Sequence, residues 1–217
     1  VVAYVRILHH FFDAHLSFLN MDFLNRLPEA VLFIWAVLLG DALSWFQHWV
    51  KHKVPWFWEM HAVHHSQTEM NLFTDFRFHF MEYLISRTIV VIPMIVLTVD
   101  TPAIVTYSVF ATWITRFYHA NIHLNLGPLR YILVTPQSHR IHHSIEERHR
   151  DKNFGLVFSV WDRLFGTQWP DAEEYPATGI ADGEFPMEME TSLMGVLIAG
   201  YRQTVYPFLK IIKNTIK

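Results

Sequence analysis

The chain has 217 residues, of which 52% are hydrophobic and 17% are charged, and its formal net charge is −3. Soluble domains carry about 45–50% apolar and about 25% charged residues, so this composition predicts a membrane-embedded part and a polar part outside the bilayer. The absence of cysteine excludes disulfides, thiolate zinc sites and iron–sulfur clusters, and the acidic balance gives no support for nucleic-acid binding.

Residues 1–28 form the first predicted segment, in which apolar and aromatic residues are interrupted by Arg6, Asp13 and three histidines. Charges at this frequency are unfavourable inside a bilayer, so we expect an interfacial or partial membrane helix here. The segment lacks the basic start and the small-residue cleavage site of a signal peptide.

A long apolar run begins at Glu29 and continues in helical register to His52 and Lys53, just before Pro55. Its length and hydropathy predict a membrane helix, which the proline ends. Asp41 is the one acid deep in this run. An acid at that depth usually faces the protein interior, and we expect the same of Asp41.

Two further apolar runs, residues 83–99 and 102–123, predict a membrane hairpin in which Thr101 caps the second helix and Pro102 begins it. Each run has about 20 residues, the length that crosses a bilayer core of about 30 Å. Residues 47–82 and 119–190 would then lie on one membrane face, which carries most of the basic residues and is therefore predicted to be cytoplasmic. Every histidine after His15 lies on that face.

Residues 169–217 are predicted to form an acidic loop followed by a C-terminal amphipathic helix. Seven acids and no basic residue lie in 171–190, and the apolar stretch that follows ends in three lysines. Together these segments predict an all-α protein, an integral membrane bundle of about three to four membrane helices with a cytosolic helical cap.

Four histidine clusters occupy the predicted cytosolic face: HWVKH at 48–52, HAVHH at 61–65, HANIH at 119–123 and HRIHH at 139–143. On a helix, residues three or four apart project to one side, so each cluster presents its imidazoles together. Ten imidazoles exceed the capacity of one ion, which predicts two adjacent metals with about four to six ligands each. Neighbouring histidines in HxxHH diverge by about 100°, so one of the two serves each metal.

Other interpretations of these clusters account for fewer of the histidines. A bis-histidine haem would use two axial ligands and leave eight histidines unexplained. A metal-handling transporter would need sites along a path through the bilayer, where Asp41 is the only strong candidate. HxxHH also lacks the glutamate of a zincin, although nearby acids at 59, 69, 75 and 82 are candidates for orienting imidazole N–H groups.

These motifs, together with the NFG and WDRLFGT sequences that end at Thr167, resemble the fatty acid hydroxylase/sterol desaturase superfamily. The resemblance covers roughly residues 30–168, so residues 29–168 are taken as the histidine-box domain. It implies a membrane-bound, non-haem di-iron enzyme that uses two Fe²⁺ ions, O₂ and an external electron donor to hydroxylate or desaturate a lipid such as a fatty acyl chain or a sterol. The implied metal ligands are His48, His52, His61, His64, His65, His119, His123, His139, His142 and His143.

The resemblance also carries expectations about location and partners. It implies an integral membrane protein of the bacterial inner membrane or the endoplasmic reticulum, with its metal site on the cytoplasmic face. The basic residues Arg148, Arg150 and Lys152 would dock an acidic electron-transfer protein, or else form a solvated loop. Phe80 stands where many relatives have proline, which leaves the role of the neighbouring His79 open.

Overall fold

The structure of the chain, a computed structural model, describes residues 2–21, 27–171, 173–181, 185 and 193–216. Within these ranges it is all-α, as predicted, with short 3-10 turns and two isolated β-bridges in place of a sheet. The helices are α1 (Val2–His15), α2 (Glu29–Lys53), α3 (Pro55–His65), α4 (Phe80–Val96), α5 (Thr101–His119), α6 (Pro136–His142), α7 (Val160–Leu164) and α8 (Leu193–Thr215).

Helix α2 is the central element, because α3, α4 and α5 all pack against it. Among the described helices it is the one whose length and hydropathy suffice to cross a membrane. Helices α4 and α5 have 17 and 19 residues and do not meet the same criterion. The structure thus contains one candidate membrane span, and the expected total of three to four stays a prediction.

Asp41 faces the interior of the protein, as the sequence predicts. Its side chain is fully buried in α2, where Oδ1 accepts a hydrogen bond from the amide of Val157 at 2.9 Å. Oδ2 accepts from the amide of Phe158 at 3.0 Å and from Trp161 Nε1 at 2.9 Å. A buried carboxylate needs such donors to replace its hydration, so Asp41 ties the segment before α7 to the central helix.

A second buried carboxylate, Asp162, fixes the same segment from its other end. It accepts hydrogen bonds from Trp45 Nε1 of α2 at 2.9 Å, from Thr167 Oγ1 at 2.6 Å, and from the amides of Phe154 and Gly155, each at 2.8 Å. Burial raises the pKa of Asp162, and these hydrogen bonds oppose the rise. A Cβ on Gly155 would lie 2.9 Å from the carboxylate, which explains the glycine of the NFG motif.

The connection between α4 and α5 corrects two details of the predicted hairpin. The cap of α5 is Asp100 instead of Thr101, because Asp100 Oδ1 accepts from the amide of Ala103 at 2.7 Å. Helix α5 ends at His119, four residues short of the predicted end at His123, because Ala120 takes an extended backbone with ψ of 139°. The HANIH sequence is therefore only partly helical.

The two ends of the chain pack on opposite parts of this core. Helix α1 contacts α4 and α5 and buries Val5 and Phe12 in a shared apolar cluster. Helix α8 packs on α3. Part of the predicted acidic loop, residues 172, 182–184 and 186–190, lies outside the described residues, as do residues 22–26 of the predicted N-terminal segment. The interfacial character of both ends stays a prediction.

Helices α2 and α5 approach closely at Gly40. We expect Gly40→Ala to lower the free energy of unfolding by about 1–3 kcal/mol, because the new Cβ would lie 2.7 Å from Tyr107 Cε1 of α5. The thermal unfolding midpoint in detergent measures the loss. Gly200→Ala is the matched control, since a Cβ there meets no atom within 4 Å and alanine favours the helix. An unchanged midpoint for Gly40→Ala would contradict the packing of α2 on α5.

Candidate metal centre

Nine of the ten predicted histidine ligands converge in two compact groups. In each group the candidate ligand atoms all lie within 4.8 Å of one another, a spacing that suits one ion. Most of these side chains are buried. The first cluster consists of His48, His52, His61, His65 and His142. The second cluster consists of His64, His119, His139 and His143.

The division of neighbouring histidines between the two clusters confirms the expectation from HxxHH. On α3, His65 belongs to the first cluster and His64 to the second. At the end of α6, His142 belongs to the first cluster and His143, the C-cap residue, to the second. The angle between successive residues on a helix thus sends one imidazole of each pair to each cluster.

His123 lies outside both clusters. Its side chain is exposed, and its ring centroid lies 4.7 Å from that of Tyr175. The reason is the early end of α5: His119 is on the helix and His123 follows in an extended segment, so the two do not share a helical face. The predicted role of His123 as a metal ligand has no support from this placement.

Hydrogen bonds donated by the Nδ1 atoms determine which nitrogens of the second cluster are available to a metal ion. His64 Nδ1 donates to the carbonyl of Arg77 at 3.1 Å, and His119 Nδ1 donates to the carbonyl of Thr115 at 2.6 Å. A carbonyl only accepts, so in the neutral imidazoles the proton is on Nδ1 and the lone pair is on Nε2. The two Nε2 atoms lie 3.2 Å apart, and two lone pairs at that distance repel unless they share a cation.

The first cluster has the same arrangement. His48 Nδ1 donates to the carbonyl of Phe154 at 2.9 Å, and His142 Nδ1 donates to the carbonyl of Lys152 at 2.8 Å. The Nε2 atoms of His48, His52 and His142 are buried and have no hydrogen-bond partner among the residues that the structure describes. Buried nitrogens without partners are costly, and coordination of a metal ion satisfies them. The residues present therefore fit two metal ions.

Glu82 orients the remaining α3 ligand of the first cluster. Its Oε1 accepts from His61 Nδ1 at 2.8 Å and from Lys51 Nζ at 3.0 Å, and all three side chains are buried. A carboxylate behind a metal-binding histidine fixes the ring and increases its basicity. Glu59, another of the acids considered for this role, pairs instead with Lys210 of α8 at 3.2 Å.

Burial and the mutual proximity of the histidines keep the ligands on α3 and at the end of α6 neutral. Loss of solvation is the main cause of a pKa well below the ordinary histidine value, and neighbouring histidines add to it. Neutral imidazole is the form that coordinates a metal, so protons compete weakly for these sites. The residues concerned are His61, His64, His65, His139, His142 and His143.

Comparison with known proteins agrees with this site. A family model described as fatty acid hydroxylase matches residues 33–167, which is more than half of the chain. The chain belongs to the fatty acid hydroxylase family. All nine clustered histidines fall within the matched range. No solved structure matches the chain.

Curated relatives share the same region. Ornithine lipid hydroxylase OlsE of Rhizobium tropici is 28% identical over 143 residues, which cover 66% of this chain and 43% of that protein. Alkylglycerol monooxygenase of Danio rerio is 31% identical over 158 residues, which cover 71% of this chain and 34% of that protein. The very-long-chain aldehyde decarbonylase GL1-6 of rice is 24% identical over 153 residues. The chain therefore spans less than half the length of the relatives it matches.

His79, the histidine whose role the sequence leaves open, holds helices together and is in neither cluster. Its Nδ1 accepts from the amide of Met81 at 3.2 Å, which caps α4, and its Nε2 donates to the carbonyl of Thr204 in α8 at 3.0 Å. Both ring nitrogens are thus engaged by backbone. This family member uses His79 to connect α4 with α8.

A smaller group of possible ligands, Glu146, His149 and Glu174, also lies together. The imidazole is already engaged, since His149 Nδ1 lies 2.8 Å from Ser144 Oγ and Nε2 lies 3.0 Å from Glu174. Arg148 pairs with both carboxylates, at 2.7 Å from Glu146 and 2.5 Å from Glu174. The guanidinium of Arg148 already neutralises the two glutamates, so this group needs no metal ion. It stabilises the loop that contains His149.

Several hydrogen-bond partners of the clustered histidines could not be predicted from the sequence. Four of the Nδ1 acceptors are backbone carbonyls, which any residue type can provide. Lys51 is a second case, because a lysine inside HWVKH gives no sign that it is buried beside Glu82. The hydrophobic pattern of α2 places Lys51 close to the interior, and this pattern is the only feature of the sequence that indicates its burial.

Removal of one histidine from either cluster should remove one metal ion. We expect wild-type protein loaded with Fe²⁺ to hold close to two ions per chain, and His65→Ala or His64→Ala to hold close to one, because each variant leaves one cluster complete. Metal analysis of protein purified under reducing conditions measures the ratio.

His123→Ala is the control for these variants and should retain close to two ions, since His123 lies outside both clusters. Loss of an ion in His123→Ala equal to that in His64→Ala would contradict the assignment of the second cluster.

Proposed function

We propose that this chain forms the catalytic part of a membrane-bound, O₂-dependent oxygenase that hydroxylates a lipid. The observation that carries the proposal is the pair of adjacent imidazole clusters with converging lone pairs, in a chain of the fatty acid hydroxylase family. Relatives named as a lipid hydroxylase and an alkylglycerol monooxygenase support an oxygenase of lipids. Hydroxylation is preferred to desaturation, because it needs one hydrogen abstraction from the substrate instead of two.

The nitrogen donors of the two clusters suit iron, and two Fe²⁺ ions bound there would supply activation of O₂. In the overall reaction a C–H bond of the lipid breaks and a C–O bond forms, with one oxygen atom retained in the product. The other oxygen leaves as water after uptake of two electrons and two protons. The nine histidines hold the ions, and Glu82 with Lys51 fixes the orientation of His61.

A large cavity of about 360 Å³ supports access of a substrate to both clusters. It is bordered by His48 and His61 of the first cluster and by His64, His119 and His139 of the second. A small cavity of about 270 Å³ borders the first cluster only. The protein side chains around the large cavity would position the substrate and limit access of bulk water to the reacting carbon.

The two electrons come, in this proposal, from an external electron-transfer protein at the cytoplasmic face. Lys152 belongs to the basic loop proposed for docking, and its carbonyl accepts from His142 of the first cluster. Arg148 and Arg150 in the same loop pair with neighbouring glutamates, which reduces the positive charge offered to a partner. The docking surface would therefore extend beyond these arginines.

A haem-binding function is less compatible with the geometry. A haem takes two axial histidines and fills the other positions of its iron with porphyrin nitrogens, whereas each cluster brings four or five imidazoles within 4.8 Å of one another. A metal transporter would release its ions readily, whereas buried imidazoles held by hydrogen bonds at Nδ1 favour a resident metal.

Product analysis with labelled oxygen tests the proposal. Given detergent-solubilised protein, Fe²⁺, ¹⁸O₂ and a reductant that delivers two electrons, we expect one labelled oxygen atom in a lipid product. His64→Ala should lower turnover by at least 100-fold, because the second cluster loses a ligand.

His123→Ala is the matched control and should turn over at the wild-type rate. A product with a new double bond and no label would replace hydroxylation by desaturation. Transport of metal across vesicles, without any O₂-dependent product from a broad lipid panel, would refute the oxygenase.

A further inference from the structure

The large cavity lies between α4 and α5, and one face of α2 forms its floor. Residues at positions 44, 47, 48 and 51 of α2 line it, a spacing that brings their side chains to one side of the helix. Helices α4 and α5 both pack against α2, so they form the two walls. The 3-10 turn Thr74–Phe76 contributes Asp75 and Phe76 to the border.

The lining of this cavity combines apolar surface with buried polar atoms that an alkyl chain alone would leave unpaired. Pockets for apolar ligands are lined mainly by hydrophobic side chains with a few polar groups. Here, besides His48 and His139 of the two clusters, four lining residues have a buried polar atom without a hydrogen-bond partner among the described residues. These atoms are Gln47 Oε1, Glu82 Oε2, Ser86 Oγ and Arg116 Nε. Gln47 and Glu82 are more than nine-tenths buried, and their unpaired oxygens accept, so a ligand hydroxyl would suit them. Arg116 Nε donates, so an acid headgroup would suit it.

Two arginines on opposite walls give the cavity its charge preference. Arg87 on α4 and Arg116 on α5 form no ion pair with any described residue. Their guanidinium groups lie over aromatic rings, Arg87 at 5.3 Å from Tyr83 and Arg116 at 4.6 Å from Phe76. Stacking on a ring leaves the in-plane N–H groups free to donate, and two parallel N–H donors match a carboxylate or a phosphate.

The other charged groups at the cavity leave both arginines available. Lys51 and Glu82 form an ion pair at 3.0 Å. Asp75 is the remaining acid in the lining and forms no ion pair within 4.0 Å with either arginine. The lining therefore carries an excess of positive charge before any ligand binds.

Arg116 is close to a clustered histidine along the chain, and Arg87 is close to the glutamate that contacts one. Arg116 precedes His119 by three residues, about 4.5 Å along α5 and on the same side of the helix. Arg87 follows Glu82 by five residues, about 7.5 Å along α4, and Glu82 contacts His61. An acid group held by these arginines would thus share one cavity with histidines of both clusters.

The rim of the cavity indicates where its ligand comes from. Phe76 and Phe78 border the cavity and are 57% and 40% exposed, and Trp113, whose ring also contacts Arg116, is 64% exposed. Exposed aromatic residues beside arginine are typical of a membrane interface. An amphiphile that enters from the membrane surface would meet this rim first.

We propose that Arg87 and Arg116 form a headgroup subsite that binds the carboxylate or phosphate of an acidic amphiphile and directs oxidation to a carbon close to that headgroup. The inference rests on the proposed function for its chemistry and on the cavity for its binding. The reaction is the same hydroxylation, with two electrons from the external donor and water as the second product. The alkyl chain would extend past the aromatic rim toward the membrane.

Binding of ten-carbon amphiphiles tests the subsite without turnover. We expect the metal-loaded full chain in detergent to bind decanoate and decyl phosphate at least tenfold more tightly than decanol, as measured by calorimetry. The variant Arg87→Gln/Arg116→Gln should lose at least tenfold in affinity for both acids and change less than twofold for decanol, because charge-assisted hydrogen bonds to the headgroup are removed.

Arg163→Gln is the control, since Arg163 is also an arginine over a ring, at 5.0 Å from Tyr131, but is exposed and does not border the cavity. It should leave all affinities unchanged. Equal losses for decanoate and decanol in the double variant, or no loss at all, would refute the subsite. Inorganic phosphate that binds as tightly as decyl phosphate would also refute it, because the site would then recognise a free anion.

The position of oxidation tests the second half of the proposal. In decanoate we expect the oxygen from O₂ on one of the first few carbons after the carboxylate, and a shift to mixed positions in the double variant. Oxidation at mid-chain in the wild type would contradict the placement. If no amphiphile is oxidised but the difference between acid and alcohol binding persists, the subsite stands and the proposed oxygenase function fails.

Discussion

The repulsion between facing imidazole lone pairs is the interaction on which the rest of this structure depends. Backbone carbonyls accept the Nδ1 protons of His64 and His119, so both Nε2 atoms present lone pairs to each other at 3.2 Å. A cation between them changes this repulsion into coordination. The surrounding protein holds the nitrogens in that arrangement, and binding of a metal ion would offset the energy needed to do so.

The scaffold achieves this by fixing a loop to α2. Asp41 and Asp162 accept hydrogen bonds from backbone amides of residues 154–158, and Asp162 also binds Trp45 of α2. The peptide units of that loop have a second use, because the carbonyl of Phe154 accepts from His48. Asp41 and Asp162 thus help to position His48 through the backbone of this loop, although neither carboxylate is hydrogen-bonded to the imidazole. A substitution at either aspartate would act on the metal site through the backbone.

The sequence predicts the ligand-rich helices well because their information is local. Spacing on one helix determines which imidazoles share a face, and it correctly divides His64 from His65 and His142 from His143. The predicted end of α5 at His123 was wrong, because the helix end after His119 depends on the backbone of Ala120, and His123 stays a predicted ligand outside both clusters. The carbonyl acceptors and the presence of Arg87 and Arg116 in the lining of one cavity depend on tertiary packing, which spacing along the chain does not specify.

X-ray absorption at the iron edge of the loaded protein tests the central claim most directly. The account predicts two iron ions per chain, each with a protein ligand shell of imidazole nitrogen and with the outer-shell scattering that imidazole rings produce. The spectrum should lose half of its iron signal when either cluster is disrupted. A single iron site, or a ligand shell dominated by porphyrin nitrogen or by carboxylate oxygen, would contradict it.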